Sequence, residues 1–592
     1  MTSALRSLKS TPISRDEFAR LFQGTVPSVG WSKKIAVAHS GGPDSTCLLF
    51  LIYRYLQDLR RESPRALPSV TVSLTVNHGL QAASDSMARH CSDYAKSLGI
   101  EHISSTVPWS APPFPDRPGP GESFEEIGRR VRYHILFNAM KQAGAQVLAL
   151  GHHGDDQVET SLMRLAMGTT EIGAAGMRKV RRWGMGVNAE GFQHNVLGWA
   201  GLDGMNMWMI RPLLQVSKER ILATCEENNL PFIQDSTNFQ PELTLRNAIR
   251  HLLSKNTLDP QSVGLELPAH ISEGLTQLQK NLTSIDSVDL DPSEGSEQLL
   301  SSVNELTEQV EDIENLVDTC LNRCHIPSPP ATYAVTYRGL SAVRNPLVQR
   351  AIVLRIMRYA SFHAWGALRA DGNRRKKSLE LIINNLWTPD PFAAGIQSFV
   401  AGGGVWWIPI VAGANRIKFA SRRDAAPPRP EPNDTIGWLA CRQPPLSQKR
   451  MELAGRSNQL WVDITDALQN KLRHKKWNRG EIFPVLWDNR FVLRLDIDKM
   501  PDDLVLAVLD GSERVQIQPF GRWYWPRIVR SNSMTGMETI IHNTLSTASQ
   551  DLIDIDRDVV AGWDFRAPAR EAVIFHSASW VEIEWIRSLS GL

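Results

Sequence analysis

Between Lys34 and Leu253 short apolar runs alternate with stretches of helical periodicity, and this alternation leaves few folds open. Ile35–Ala38, Val70–Val76, Glu101–Val107 and Val147–Leu150 read as strands. Between and after them, Asp44–Leu56, Ser84–Leu98, Ser123–Gln142 and Asp155–Leu165 read as helices. Strands that alternate with helices pair in parallel, because each helix carries the chain back across the sheet; the class predicted is α/β, a parallel sheet covered on both faces. Ligands of such sheets sit beyond the carboxyl ends of the strands. The loops after the first, second and fourth strands are therefore where chemistry is expected.

The chain has 592 residues, too many for one ordinary core. Pro108–Gly121, with six prolines, reads as a surface loop, and Arg181–Asn206 as an insertion between Met177 and Arg211. Ser284–Gln298 is acidic and Ser-rich, the composition of a mobile linker. Val303, Leu306, Val310, Ile313 and Val317 then form the apolar stripe of a helix, and Pro346–Tyr359 reads as another. Ala425–Pro432 is a Pro-rich second linker, and the Trp-rich runs after Ile436 suit a mixed α/β or mostly β domain. The divisions expected are 1–30, a flexible N-terminus or targeting segment; 31–255, the α/β unit; 256–424, a linker and helical middle domain; and 435–592, an accessory domain.

A net charge of +2 puts any nucleic-acid binding into local basic patches. Six scattered cysteines suit a reducing, intracellular compartment. No apolar run reaches the ~20 residues of a membrane span, so no membrane partner is expected. Met1–Lys9 carries Arg6 and Lys9 without acids, compatible with a mitochondrial presequence or with a plain terminus of a cytoplasmic protein. The sequence leaves the oligomeric state open.

Ser40-Gly41-Gly42-Pro43-Asp44-Ser45 joins the first strand to the first helix. Two glycines let backbone approach phosphate oxygens, and the N–H groups of a helix start point at an anion. Ser40 and Ser45 add hydroxyls, and Asp44 beside a phosphate makes sense with a magnesium ion between the two negative charges. A Walker-type lysine is missing. The plain alternative is a tight turn with Asp44 capping the helix.

After the fourth strand comes Gly151-His152-His153-Gly154-Asp155-Asp156-Gln157-Val158-Glu159-Thr160. Two imidazoles and three carboxylates at one strand end are costly unless a ligand uses them. On a helix Asp155 shares a face with Glu159, and Asp156 with Thr160. Simple capping accounts for one aspartate and leaves the histidines unexplained, and no cysteine stands near for a zinc site. Arg129 and Arg132 can clamp phosphates or lie on a solvated face. Arg246 and Arg250, on one helical face, can pair with Asp235 or meet RNA.

Ser-Gly-Gly-x-Asp-Ser at Ser40–Ser45 resembles the pyrophosphatase loop of N-type ATP pyrophosphatases, the PP-loop superfamily. Four further segments, in order, resemble the tRNA(Ile)-lysidine synthetases in particular: Val76-Asn77-His78-Gly79-Leu80; Glu125–Tyr133, with Gly128 where that family usually has Ala; Gly151–Thr160; and Arg211-Pro212-Leu213-Leu214 followed by Asp235–Asn238, Arg246-Asn247 and Arg250. The resemblance implies a Rossmann-like adenine-nucleotide alpha hydrolase domain and a ligase that forms a carbon–nitrogen bond. ATP, with magnesium held by Asp44, would adenylate the wobble cytidine of an isoleucine tRNA with a CAU anticodon, and free L-lysine would displace AMP to give lysidine. Ser40–Ser45, Asn77, His78, Gly151 and His152 would bind the nucleotide, and Asp44, Arg129, Asp156 and Glu159 would carry the chemistry. Arg132, Arg246, Arg250, Lys376 and Lys475 are the candidates for substrate or RNA contact.

Beyond Leu253 the resemblance thins to Leu486–Phe491, similar to a short accessory-region motif of some lysidine synthetases. Basic clusters at Arg369–Lys377 and Lys471–Arg479, the latter with Trp477, suit tRNA contact or a solvated face. Cys320, Cys324 and His325 read as helix neighbours. Two rival functions stay open. A tRNA thiolase of the same superfamily generally needs a Cys-x-x-Cys pair, which the chain lacks; an inactive tRNA-binding protein has no need of Asp44, Asp156 and Glu159.

Overall fold

The computed structural model describes residues 10–63, 65–80, 83–119, 125–169, 171–187, 196–233, 240–282, 285, 288–291, 293, 295–366, 376–413, 417–419, 428–445, 460–473, 482–545 and 576–589. The chain divides into two compact units, one of Met1–Gly184 and Asn195–Asp312, the other of Met185–His194 and Ile313–Gly591.

The first unit is built on a six-stranded sheet: β1 (Lys34–Ala38), β2 (Val70–Asn77), β3 (Glu101–Thr106), β4 (Val147–Ala149), β5 (Val180–Arg182) and β6 (Trp208–Ile210). Their order is β3-β2-β1-β4-β6-β5, parallel except for β5, which runs antiparallel to β6. Alternation along β1 fills both faces. Ile35 and Val37 pack with Leu48, Leu51 and Ile52 of helix α2 (Pro43–Glu62), whereas Ala36 packs with Leu74, Leu148 and Met140 beneath helix α4 (Glu125–Ala143). Helix α3 (Ser84–Ser97) crosses from β2 to β3, and helix α5 (Gly154–Ala166) leaves β4. The phosphate loop, the 77–79 turn and the 151–153 turn thus lie together at the carboxyl ends of β1, β2 and β4.

Three stretches differ from the sequence reading. Within the expected flexible terminus, Arg15–Gln23 is helix α1; Ser14 caps it, and Phe18 and Phe22, one turn apart, are buried in the core of α2. Within the expected insertion, β5 and β6 extend the sheet; strands of three residues are too short to show a period. Within the expected acidic linker, Ile285 and Leu290 are buried against helices Leu245–Leu253 and Ala269–Leu282, so two apolar anchors seat an otherwise polar stretch.

The second unit is mostly β. Strand 405–412 is flanked by 399–401 and 417–418 on one side and by 435–442 on the other, and 333–336 and 325–326 follow. A four-stranded sheet joins 462–463, 513–520, 525–532 and 538–542, and a three-stranded one joins 482–487, 491–496 and 581–585. Helix Pro346–Ala360, capped by Asn345, packs in the same unit. Among the described residues no helix is long and apolar enough to cross a membrane.

Candidate active site at the carboxyl ends of the strands

Gly41 adopts φ +82°, the left-handed turn that brings the chain from β1 onto α2. Gly42 is the N-cap, Pro43 fills the first helical position, and no side chain caps the helix. The plain-turn alternative required Asp44 as a cap; the structure turns that carboxylate outward, where its Oδ1 is ion-paired with Lys218 Nζ. Ser45 laces the loop instead: its Oγ accepts from Ser40 N at 3.1 Å, donates to Gly42 O at 3.1 Å and lies 3.2 Å from Ser40 Oγ. A helix start left without a side-chain cap is the arrangement an anion completes.

Lys218 is a residue at the loop that the sequence reading did not single out. It stands at the first position of helix Lys218–Glu227, far along the chain, its Nζ paired with Asp44, and its N–H donates to Asp155 Oδ2 at 2.8 Å. Its only signal was a place four residues beyond Leu214 of the Arg-Pro-Leu-Leu motif.

The β4 turn presses on the loop from the other side. A Cβ on Gly151 would stand 3.1 Å from Asp44 C and Ser45 N, so nothing larger than glycine fits without a shift. The pKa values of the two histidines that follow shift in opposite directions. His152 Nδ1 accepts from Arg211 Nε at 3.3 Å, and burial together with Arg211 depresses its pKa, keeping it neutral. Burial also opposes charge on His153, but Asp156, Asp155 and Asp44 outweigh it and raise its pKa. Its ring nitrogens lie 3.5, 3.3 and 3.7 Å from those carboxylates.

Glu159 and Asp156 share one arginine, so the working pair on α5 is 156/159 rather than the 155/159 face read from spacing. Arg246 Nε donates to Glu159 at 2.6 Å and its Nη2 to Asp156 at 2.9 Å; Arg250 Nε donates to Glu159 at 2.6 Å. Arg246 and Arg250 were expected to choose between Asp235 and RNA. Their guanidiniums go to α5, and Asp235 to Asn238 lie outside the described residues. Glu159 is 2% exposed. Two guanidiniums engage it, so it anchors helix Leu245–Leu253 to α5. For Asp156, burial is overcome by His153 and Arg246, and its pKa is lowered.

Asn77 and His78 shape the β2 turn. Asn77 Nδ2 donates to Asp85 at 2.7 Å and its Oδ1 accepts from Gly79 N at 2.9 Å, while His78 O accepts from Trp109 Nε1 at 2.7 Å. Burial, then Arg132, pushes the His78 pKa down to about 4. Arg129 stands 5.1 Å over the Tyr133 ring on α4.

The distal candidates are less legible. Lys376 begins helix Lys376–Leu386 with its side chain outside the described residues, and Lys475 lies wholly outside them. Leu486–Phe491 is a hairpin turn with Asp488 and Asn489 both at φ +51°. Asp488 is bound by Arg442 at 2.7 Å and Arg490 at 2.6 Å, and Arg587 donates to Asn489 O at 2.7 Å, so the motif is a buried hub of the second unit. Among the described residues no group of three or more His, Cys, Asp or Glu is disposed to hold a metal ion, Cys320, Cys324 and His325 included.

A glycine-turned phosphate loop facing a His-His-Gly-Asp-Asp turn is matched by a known family profile over residues 14–257. The profile is that of a PP-loop domain. Over 255 residues the chain is 34% identical to a tRNA(Ile)-lysidine synthase of Bradyrhizobium sp., covering 43% of this chain and 60% of that protein. It is 32% identical over 213 residues to one of Bacillus licheniformis, covering 36% of this chain and 37% of the other. Both matches thus span less than two thirds of the relative. Among solved structures, the U34-tRNA thiolase NcsA of Methanococcus maripaludis aligns at 17% identity with a TM-score of 0.28, covering 50% of this chain and 89% of that one.

Proposed function

We propose that this protein is an ATP-dependent tRNA(Ile)-lysidine synthetase, joining free lysine to the wobble cytidine of a CAU-anticodon isoleucine tRNA. The observation that carries the reading is the meeting of two clusters at one strand-end site. The phosphate loop reaches Lys218 through Asp44, and Asp44 lies 3.7 Å from His153, which in turn adjoins the Asp156–Glu159–Arg246–Arg250 set. A collinear similarity to lysidine synthases over the PP-loop domain supports the choice of reaction.

ATP supplies an activated phosphorus: the cytidine O2 takes the adenylyl group as pyrophosphate leaves, and the lysine amine then forms a C–N bond at C2 as the C–O bond to AMP breaks and the amine loses its proton. The chain's own residues account for what such a site needs. The uncapped start of α2 and the hydroxyls of Ser40 and Ser45 bind phosphate oxygens. Lys218, and His153 with its raised pKa, offset the charge that Asp44 would otherwise set against them. Asp156, with one oxygen toward His153 and the other on Arg246, is the carboxylate for an incoming ammonium. For magnesium Asp44 would be the carboxylate ligand, and as no group of three or more such ligands is disposed to hold a metal among the described residues, most of the ion's ligands would be phosphate and water oxygens.

The test is release of AMP and pyrophosphate by the purified protein. It is expected only when ATP, lysine and a CAU-anticodon tRNA are all present, with lysidine found in the tRNA by mass spectrometry. A requirement for a sulfur donor would turn the reading toward a thiolase. Binding of tRNA with no turnover would mark an inactive tRNA-binding protein.

A further inference from the structure

His39 is the last residue before the phosphate loop, and at 1% exposure it is a fully buried polar side chain. Its Nε2 lies 3.2 Å from Thr46 Oγ1, on the first turn of α2. Residues 39 and 46 flank Ser40–Ser45, so this contact closes a ring around the whole loop, outside the Ser40–Ser45 lacing already described. On its other side His39 Nδ1 lies 3.4 Å from Ser73 Oγ in β2, and Ser73 Oγ lies 3.0 Å from His102 Nδ1 in β3. The backbone joins in: His39 N donates to Leu74 O at 2.8 Å, and Thr75 Oγ1 donates to His39 O at 2.6 Å. The His39 side chain therefore ties the loop's exit helix to β2, and Ser73 carries the contacts on to β3.

The chemistry of this chain is constrained. Ser73 has one hydroxyl hydrogen and two imidazole neighbours, so it can donate to only one of them, and the other must donate to it. If Ser73 donates to His102, His39 carries its hydrogen on Nδ1 and its Nε2 accepts the Thr46 hydroxyl. Burial drives the pKa of His39 down to about 3, so it remains a neutral imidazole with one donor and one acceptor, matched to the two hydroxyls it meets. A leucine would fill the space yet leave Thr46 and Ser73 without this partner in a dry interior.

We infer that His39 is a positioning residue for the phosphate loop, holding the start of α2 in place through Thr46. This rests on the reading of Ser40–Ser45 as a nucleotide phosphate site. It predicts that His39 acts on phosphate binding, beyond its share in packing.

Binding of ATP and of pyrophosphate to the full chain is measured by calorimetry, with melting temperature and steady-state kinetics alongside. His39→Leu and Thr46→Val are each expected to weaken ATP and pyrophosphate binding about tenfold, the equivalent of one buried hydrogen bond. The pair together should be no worse than either alone. His39→Gln, whose amide Oε1 can take the place of Nε2 as acceptor, and Thr46→Ser should restore most of the affinity. The inference is overturned if His39→Leu lowers the melting temperature but leaves both affinities unchanged, or if Gln rescues no better than Leu. Should wild-type protein bind neither ATP nor pyrophosphate, it is the phosphate-site reading that fails. If His39→Leu does not fold, the Thr46→Val and Thr46→Ser pair decides by the same criterion.

Discussion

At the scale of single residues, Lys218 shows how a site can be completed from a distance. A carboxylate facing a phosphate loop is repulsive to the ligand unless cations offset it, and the structure places Lys218 and His153 beside Asp44 for that purpose. Removing the ammonium should therefore harm ATP use more than it harms the fold, because an exposed edge of the pair faces water. Lys218→Met is expected to cut kcat/KM for ATP by about a hundredfold, on the scale of one lost electrostatic contact in a site, with Lys218→Arg partly active. A melting temperature near wild type alongside that loss would assign the effect to the site. Unchanged kcat/KM would remove Lys218 from the site altogether.

At the scale of elements, α5 has two jobs on two faces. One face presents Asp156 and Glu159 to Arg246 and Arg250. The other holds the 174–177 turn: Gln157 Nε2 donates to Ala175 O at 3.0 Å and Met177 O at 2.9 Å, its Oε1 accepts from Met177 N at 2.7 Å, and Ser161 Oγ donates to Ala174 O at 2.5 Å. That turn leads into Arg178, whose carbonyl accepts from Arg211, the partner of neutral His152. Gln157→Leu keeps the volume and removes three buried hydrogen bonds, so a loss of about 2–4 kcal/mol of stability is expected. Chemical denaturation gives the measurement, and a change below about 0.5 kcal/mol would show that the turn holds itself. The close approach of β4 to the loop predicts a different signature for Gly151→Ala: a Cβ forced against Asp44 and Ser45 backbone should raise the KM for ATP with a smaller effect on stability.

These elements also show which parts of the fold could be read from sequence. The loop and the 151–160 turn were legible because backbone geometry and charge cost limit the residues that can stand there: Gly41 for its positive φ, Gly151 for its close approach, His153 for its three carboxylates. Partners were not legible. Arg246 meets α5 across a large sequence separation, and Lys218 meets Asp44 likewise, and neither contact leaves a local pattern. β5 and β6 escaped because strands of three residues show no period, and α1 because a terminal segment with two aromatics one turn apart looks unremarkable until the surface it covers is known.

At the scale of the whole molecule, buried imidazoles set how the fold answers to acid. Burial drives His39 to about 3 and, with Arg132, His78 to about 4, and it depresses His152 well below its ordinary value. An unfolded chain titrates these groups near pH 6.5, so below that pH the unfolded state binds more protons and stability falls as pH falls. His153 has the opposite sign: its raised pKa adds stability that is full below about pH 6.5 and is lost as pH rises through the folded value. Depressed carboxylates such as Asp156 act later, losing their contribution only below about pH 4. Among the described residues seven histidines, His39, His78, His102, His134, His152, His325 and His542, have depressed pKa values against one, His153, that is raised, so the acid limb of the stability profile should open near pH 6.5, well above the carboxylate range. Each neutral histidine contributes a slope approaching about 1.4 kcal/mol per pH unit between its two pKa values. Thermal unfolding at constant ionic strength from pH 7.5 to pH 4.5 is the measurement, and His39→Gln should remove one proton's worth of that slope while leaving the neutral-pH value little changed. A profile flat to pH 4.5, or a slope identical in the variant, would mean that these imidazoles find water or protons in the native state and are not held neutral by the fold.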